Sequence, residues 1–253
     1  MHRVEVRDGN FAVMQALIDA DPYGYYWHDV DWKYGRKDTR ITLAMEGDRC
    51  AASLLSWCGR ILQLRGSEAG AHFLLDDMDL RGMELGTTLP LAPVLQGWKM
   101  QERFRVDLLA LPRGAAKLKW TIPVADLAPE DAARASEILR TCDPLWERFT
   151  ESSVKESMQT NLWLGVKEDG ELAAAGSAWF AGDMHNIGLI ATDPRFRGKG
   201  YATSMVSEFV KRIHEKVPVA LIHVKTGNAP AERAYYGIGF KRQRSFMIHK
   251  VAP

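Results

Sequence analysis

One short run concentrates the residue types that hold an anion: Arg197-Gly198-Lys199-Gly200-Tyr201-Ala202. It follows a strand-like segment, NIGLIAT, and a break at Asp193-Pro194, and it leads into a helix pattern. A helix N-terminus presents free amide N–H groups and a partial positive charge, and anions settle there. Glycines let a phosphate approach the backbone because no Cβ intervenes. Arg197 and Lys199 would add charge-assisted hydrogen bonds. The run therefore has the composition and position of a pyrophosphate cradle. It is not a P-loop, which needs Gly-x-x-x-x-Gly-Lys-Ser/Thr, and it lacks the third glycine of a dinucleotide fingerprint. A plain basic turn that caps a helix has the same composition, and on the turn alone both readings stand.

The elements around that turn are legible. Pro129 begins a helix through about Arg140, with Ala132, Ala135, Ile138 and Leu139 on one face, and a second helix covers Leu145–Met158. LWLGV and ELAAAGSAWF are strands flanking an Asp169-Gly170 turn. After the cradle, Tyr201, Met205, Phe209 and Ile213 recur every four residues and define the buried stripe of a helix. VALIHV reads as a strand covered on both faces. Asn228 opens a last helix with Pro230 in its first turn, Gly239 ends it, and FKRQRSFMIHK closes the chain as a strand.

The first half is less regular. His2–Arg7 alternates like a strand, and Asn10 is placed to cap a helix through Asp19. Tyr23–Tyr34 is rich in aromatics, and TRITLAMEGDRCAASLLSW reads as a hairpin turning at Glu46-Gly47-Asp48. RILQL, AHFLL and FRVDLLAL are further strand candidates. The clusters His28, Asp29, Asp31, Trp32 and Asp76, Asp77, Asp79 could recognise a cationic amine, but solvated acidic loops and core aromatics explain them more simply. A Pro- and Gly-containing join near residues 112–130 separates the two halves.

Composition limits the function classes. The 253 residues are 46% hydrophobic and 26% charged, with net charge +1, so bulk electrostatics point to neither nucleic acid nor an anionic membrane. No apolar run reaches bilayer length and the first residues lack a signal-peptide core, so the expectation is a soluble, cytoplasmic protein. Cys50, Cys58 and Cys142 form no close pair, so neither a zinc site nor a disulfide framework is expected.

The segment from Leu189 to Ala202 resembles the signature of the GNAT acyltransferase superfamily, Arg/Gln-x-x-Gly-x-Gly/Ala, with Arg197, Gly200 and Ala202 in the matching places. NAPAERAYYGIGF resembles a second family pattern, filled by Asn228, Tyr235, Gly239 and Phe240. The resemblance covers about residues 120–250 and is similar to the subgroup that includes glycine N-acyltransferase C-terminal domains. The fold it implies is α+β with a mixed α/β sheet, the GNAT fold, arranged as two tandem GNAT-like lobes. Residues 1–115 would be a degenerate N-terminal lobe, matched only loosely by LRGMELG and an echo of Arg197-Gly198 in Arg81-Gly82, and residues 118–253 the catalytic N-acetyltransferase domain.

That resemblance implies roles for particular residues. The NIGLIAT strand would splay from VALIHV, and main-chain groups of Leu189, Ile190, Ala191 and Thr192 would bind the pantetheine arm of acetyl-coenzyme A. Amides of Gly198, Lys199, Gly200, Tyr201 and Ala202, beside Arg197, would hold its pyrophosphate, and Asn228 would orient pantetheine or the thioester region. Tyr235 would be the general acid that protonates the departing thiolate. A glutamate base of relatives is replaced by Asn186, leaving His185, His223 or water to take the amine proton. The implied reaction is direct acyl transfer from acetyl-CoA, with no metal, to a small-molecule or peptide amine. A longer acyl-CoA with an amino-acid acceptor, or a non-catalytic acyl-CoA-binding module, are the alternatives. No nucleic-acid or membrane partner is expected, and a monomer and a homodimer are both compatible with the sequence.

Overall fold

The computed structural model describes residues 1–253 apart from 144, 145 and 148. The chain divides into two compact units, Met1–Leu108 with Gln243–Pro253, and Leu109–Arg242. The closing strand thus returns, from Gln243 onward, to the first unit, a placement that no local pattern in the sequence encodes.

Unit 1 runs β1 (His2–Glu5), α1 (Ala12–Ala20), α2 (Tyr26–Tyr34), β2 (Thr39–Glu46), β3 (Arg49–Trp57), β4 (Ile61–Gly66), α3 (Glu68–Leu75), β5 (Glu84–Thr88), a 3-10 segment Leu89–Leu95 and β6 (Met100–Pro112). The final strand, β12 (Lys241–Val251), lies between β5 and β6, giving the order β1-β2-β3-β4-β5-β12-β6. The pair β4–β5 is parallel, from Ile61↔Glu84 to Leu64↔Thr87, while β2–β3, β3–β4 and β12–β5 are antiparallel. The β2–β3 hairpin turns at Gly47, whose φ of 60° suits glycine.

Three local expectations change in the structure. AHFLL belongs to α3, not to a strand: Ser67 Oγ accepts from Gly70 N at 3.2 Å, and Ala71, Leu74 and Leu75 are buried at helical spacing. Asn10 caps no helix, because its side chain is taken by Arg7 N (2.6 Å) and Glu5 O (3.0 Å) within a 3-10 turn that precedes α1. The helix drawn over Leu145–Met158 is α5, Glu151–Met158, started where Thr150 Oγ1 accepts from Ser153 N; Leu145 lies outside the described residues.

Unit 2 begins with the end of β6 and continues through β7 (Ala125–Asp126), α4 (Ala132–Cys142), α5, β8 (Leu162–Glu168), β9 (Glu171–Trp179), β10 (Met184–Thr192), α6 (Tyr201–Lys216), β11 (Val219–Lys225) and α7 (Ala229–Ile238). Its sheet order is β6-β11-β10-β9-β8-β7. Two cores flank it. One joins Met205, Phe209 and Ile213 of α6 to Tyr235 and Ile238 of α7, with Ile187, Ile222 and Val224 from the strands. The other joins Ile138 and Leu139 of α4 to Val154, Trp163 and Leu189. The stretch after β6 is tied into this unit. Lys117 N donates to Ile238 O, and Ser207 Oγ and Ser204 Oγ accept from Lys119 N and Thr121 N at 3.0 and 2.9 Å.

Candidate active site

The site is built where two parallel strands stop pairing. β10 and β11 are in register from Met184↔Val219 to Ile187↔Ile222 and no further, although β10 continues to Thr192 and β11 to Lys225. At the same point β10 shifts register against β9, between Ile187 and Leu189. The intervening Gly188 explains the bulge. A Cβ there would fall 1.7 Å from the Trp179 ring, so only glycine lets that indole lie against the strand. Beyond the bulge, Leu189 and Ala191 join the core under α4, and the strands part around a cleft of about 730 Å³.

One end of the cleft is the turn 197–202. Gly198 and Gly200 have φ of 84° and 83°, in the left-handed region that glycine tolerates. A Cβ on Gly198 would meet nothing within 4 Å, whereas one on Gly200 would meet Thr121 Oγ1 at 2.8 Å. Gly200 supplies no side-chain cap to α6, so the first-turn amides of this 16-residue helix open into the cleft without an internal acceptor. By contrast α3, α5 and α7 are capped by Ser67, Thr150 and Asn228.

Ile190, Ala191, Thr192, Arg197, Gly198, Gly200, Tyr201, Ala202, Asn228 and Tyr235 all line this one cleft. Leu189 and Lys199 do not. Leu189 is turned into the α4-side core, and Lys199 Nζ lies 2.5 Å from Glu168 Oε1. The Tyr201 hydroxyl donates to the same carboxylate; the Lys199 ammonium first and then this hydroxyl hold Glu168 below the usual carboxylate range, and the bond to Glu168 holds Tyr201 above the usual phenol range. The Arg197 guanidinium donates to Thr192 O at 3.2 Å and reaches Cys142 Sγ at 3.5 Å. The two basic side chains of the turn are thus drawn to other partners, and what the turn offers the cleft is backbone amide. Asn228 Oδ1 accepts from Ala231 N at 3.4 Å and so caps α7.

Tyr235, on α7, is 6% exposed. Burial pushes its phenol well above the ordinary value, so it carries its proton throughout the neutral range. Its neighbour Tyr236 is 45% exposed and does not line the cleft. His223 lines the cleft; His185 does not. His185 is buried against Phe180, with ring centroids 4.7 Å apart, and its pKa is lowered by burial and then by Lys216. Cys142, Asp143 and Trp146 at the end of α4 also wall the cleft, as do Lys225 and Arg233. Their spacing in the sequence carries no signal of a shared site. Gly188 does carry one, since a glycine inside a strand pattern suggests a bulge. Among the described residues no group of three or more His, Cys, Asp or Glu side chains is placed to hold a metal ion, and no helix is long and apolar enough to cross a membrane.

Residues 163–247 match the model of the FR47-like protein family. No curated protein sequence matches the chain. Among solved structures, a Drosophila protein superposes with TM-score 0.74 at 14% identity, covering 98% of each chain. A GNAT-family acetyltransferase from Colwellia psychrerythraea gives 0.65 at 11% identity over 99% of this chain and 100% of its own. A tandem GNAT protein of the clavulanic acid biosynthesis pathway gives 0.58 at 14% identity over 98% and 97%. The order of strands and helices within each unit, the parting of β10 from β11 and these likenesses over nearly the whole chain establish one conclusion: the protein has the mixed α/β GNAT fold, in two tandem GNAT-like lobes.

Proposed function

We propose that the protein is an N-acetyltransferase that uses acetyl-coenzyme A, with catalysis in unit 2. The observation that carries this reading is the continuous cleft from the uncapped N-terminus of α6, between the parted ends of β10 and β11, to Tyr235. A long, thin donor with a diphosphate at one end and a thioester at the other fits that shape. The amides around Gly198–Ala202 would take the diphosphate, and main-chain groups of Leu189–Thr192 would take the pantetheine arm as an added strand would. The donor supplies the activated acyl group when bound.

Residues of this chain do the rest. An amine attacks the thioester carbonyl and the C–N bond forms, its nitrogen loses a proton to water or a histidine base, the C–S bond breaks, and Tyr235 gives its proton to the departing sulfur. Its burial serves this role, because a phenol kept protonated is a loaded donor. Unit 1 is, on the same proposal, the degenerate lobe. The test is a thiol-release assay with acetyl-CoA against a panel of amines and peptides, beside calorimetry of CoA binding. CoA binding with acyl transfer to at least one amine is the expected result. A protein that binds no CoA would end the proposal, and one that binds CoA but transfers nothing would be an acyl-CoA-binding module.

A further inference from the structure

The segment that follows β6 is tied by hydroxyl groups to the start of α6. Ser204 and Ser207, both wholly buried, stand on one face of that helix. Their side-chain oxygens accept the backbone N–H of Thr121 at 2.9 Å and of Lys119 at 3.0 Å. One turn beyond Ser204, Glu208 Oε2 accepts from Trp120 Nε1 at 3.2 Å. Residues 119–121 are thus held in fixed register along α6, and Thr121 comes to lie against the glycine turn.

The Thr121 hydroxyl oxygen is 3.3 Å from Lys199 O and 3.1 Å from Ser204 Oγ. A carbonyl only accepts, so the single Thr121 hydroxyl proton goes to Lys199 O, and Ser204 donates to Thr121 Oγ1. This chain of bonds starts on a buried helix position and ends on one peptide of the turn. That peptide is trans, so its C=O and N–H point in opposite directions. Lys199 O faces Thr121, and the Gly200 N–H therefore faces away from it. Gly198, Gly200, Tyr201 and Ala202 line the cleft, whereas Thr121 does not.

Resting on the coenzyme A reading above, we infer that Thr121 is a positioning residue for the donor: its hydroxyl fixes the Lys199–Gly200 peptide so that the Gly200 amide is offered to the diphosphate. The turn needs such a tether. Gly198 and Gly200, at φ of 84° and 83°, stand on either side of Lys199. Rotating the 199–200 peptide by half a turn changes ψ of Lys199 and φ of Gly200, and glycine accepts φ of either sign. The rotated peptide would present a carbonyl oxygen to the diphosphate in place of an amide. The bond from Thr121 opposes that rotation. The approach is close, since a Cβ on Gly200 would fall 2.8 Å from Thr121 Oγ1. The basic side chains of the turn do not hold this peptide: Lys199 engages Glu168 through its ammonium, and Arg197 reaches back to Thr192 O.

The experiment uses the full chain, with CoA as the calorimetric probe and an amine from the thiol-release panel for turnover. Thr121→Val keeps the shape of an exposed side chain and removes its hydroxyl. It should weaken CoA binding by about fivefold, the effect of one such hydrogen bond. KM for acetyl-CoA should rise as much, while kcat at saturating acetyl-CoA stays within about twofold, because the tether acts on binding and not on the thioester. Thr121→Ser keeps the hydroxyl and should bind CoA within about twofold of wild type. In nitrogen-15 spectra the Gly200 amide of the wild type should shift downfield when CoA is added, and shift less in Thr121→Val. Wild-type CoA affinity in Thr121→Val, a Thr121→Ser protein as weak as Thr121→Val, or a wild-type Gly200 amide that CoA leaves unmoved would overturn the assignment. A wild type that binds no CoA would instead overturn the parent reading, and this one with it.

Discussion

The two units repeat one order of elements and differ most where each parallel strand pair ends. In unit 2, β10 and β11 separate after four rows and leave a cleft. In unit 1, β4 and β5 also pair over four rows, but Arg65 occupies the end of the pair. It is 2% exposed; its guanidinium donates to Leu64 O and Gly86 O at 2.9 Å, to Gly24 O and Gln63 Oε1 at 2.8 Å, and stacks 4.4 Å from the Phe246 ring. Burial draws its pKa down to about 10, so it stays charged at neutral pH. The following helices differ in the same sense. α3 is capped by Ser67 and has Glu68 in its first turn, whereas α6 has no side-chain cap and no acid there. An anion site needs open amides and no competing carboxylate. The comparison teaches that one supersecondary frame becomes an open cleft or a sealed core according to what fills the fork. It also moves the counterpart of Arg197–Gly200 to Arg65–Ser67, where β4 ends and α3 begins, away from Arg81-Gly82, which follows α3.

The largest expected effect tests the seal. Arg65→Met strands several buried carbonyls and should lower the unfolding free energy by about 3 kcal/mol in urea titration. It should create no second coenzyme site, because Glu68 and the Ser67 cap remain; calorimetry should still find one CoA per chain. Two would break the contrast between the units.

Next is Tyr235, the proposed acid in the open fork. Tyr235→Phe removes a hydroxyl and little volume, and should cut kcat by roughly 10²-fold with CoA affinity unchanged. Tyr236→Phe, on an exposed side chain, should turn over like wild type. Equal rates for all three enzymes would make Tyr235 a packing residue.

The cradle itself should respond less. A carboxylate at Gly200 would confound charge with backbone strain and a clash with Thr121, so Ala202→Asp is the cleaner probe. It puts a negative charge at the open first turn of α6 and should weaken CoA binding by at least about tenfold, or 1.4 kcal/mol. Unchanged affinity would mean that the turn is only a helix start.

The smallest effect is expected at Lys199. Its ammonium is committed to Glu168 at the protein surface, so Lys199→Ala should change CoA affinity by no more than about threefold. A tenfold loss would show that the lysine leaves Glu168 for the diphosphate and that the cradle is more than backbone.

Much of unit 2 was legible because its signals are local. Tyr201, Met205, Phe209 and Ile213 are all buried, as their four-residue recurrence requires. The Asp169-Gly170 turn, with φ of 51° and 84°, joins the two strands that flank it in the sequence. AHFLL misled because a short apolar run fits strand and helix alike; the Ser67 cap three residues before Gly70 was the better guide. The cleft-lining residues came largely from spacing around one turn and one helix, which explains why Cys142, Asp143 and Trp146, distant in the chain, were not among them.

By itself the sequence determined the periodicities, the glycine-built turn before α6 and the order of strands and helices, since each depends on residues within a few positions of one another. Only the tertiary structure decided that β10 leaves β11 at Ile187, because that needs the Trp179 ring laid on Gly188 across a neighbouring strand. It alone sent Lys199 to Glu168, put β12 beside β5 and drove Arg65 into the fork of unit 1. Each of these outcomes joins groups far apart in the chain, and burial, charge pairing and hydrogen-bond satisfaction act only once folding has brought such groups together.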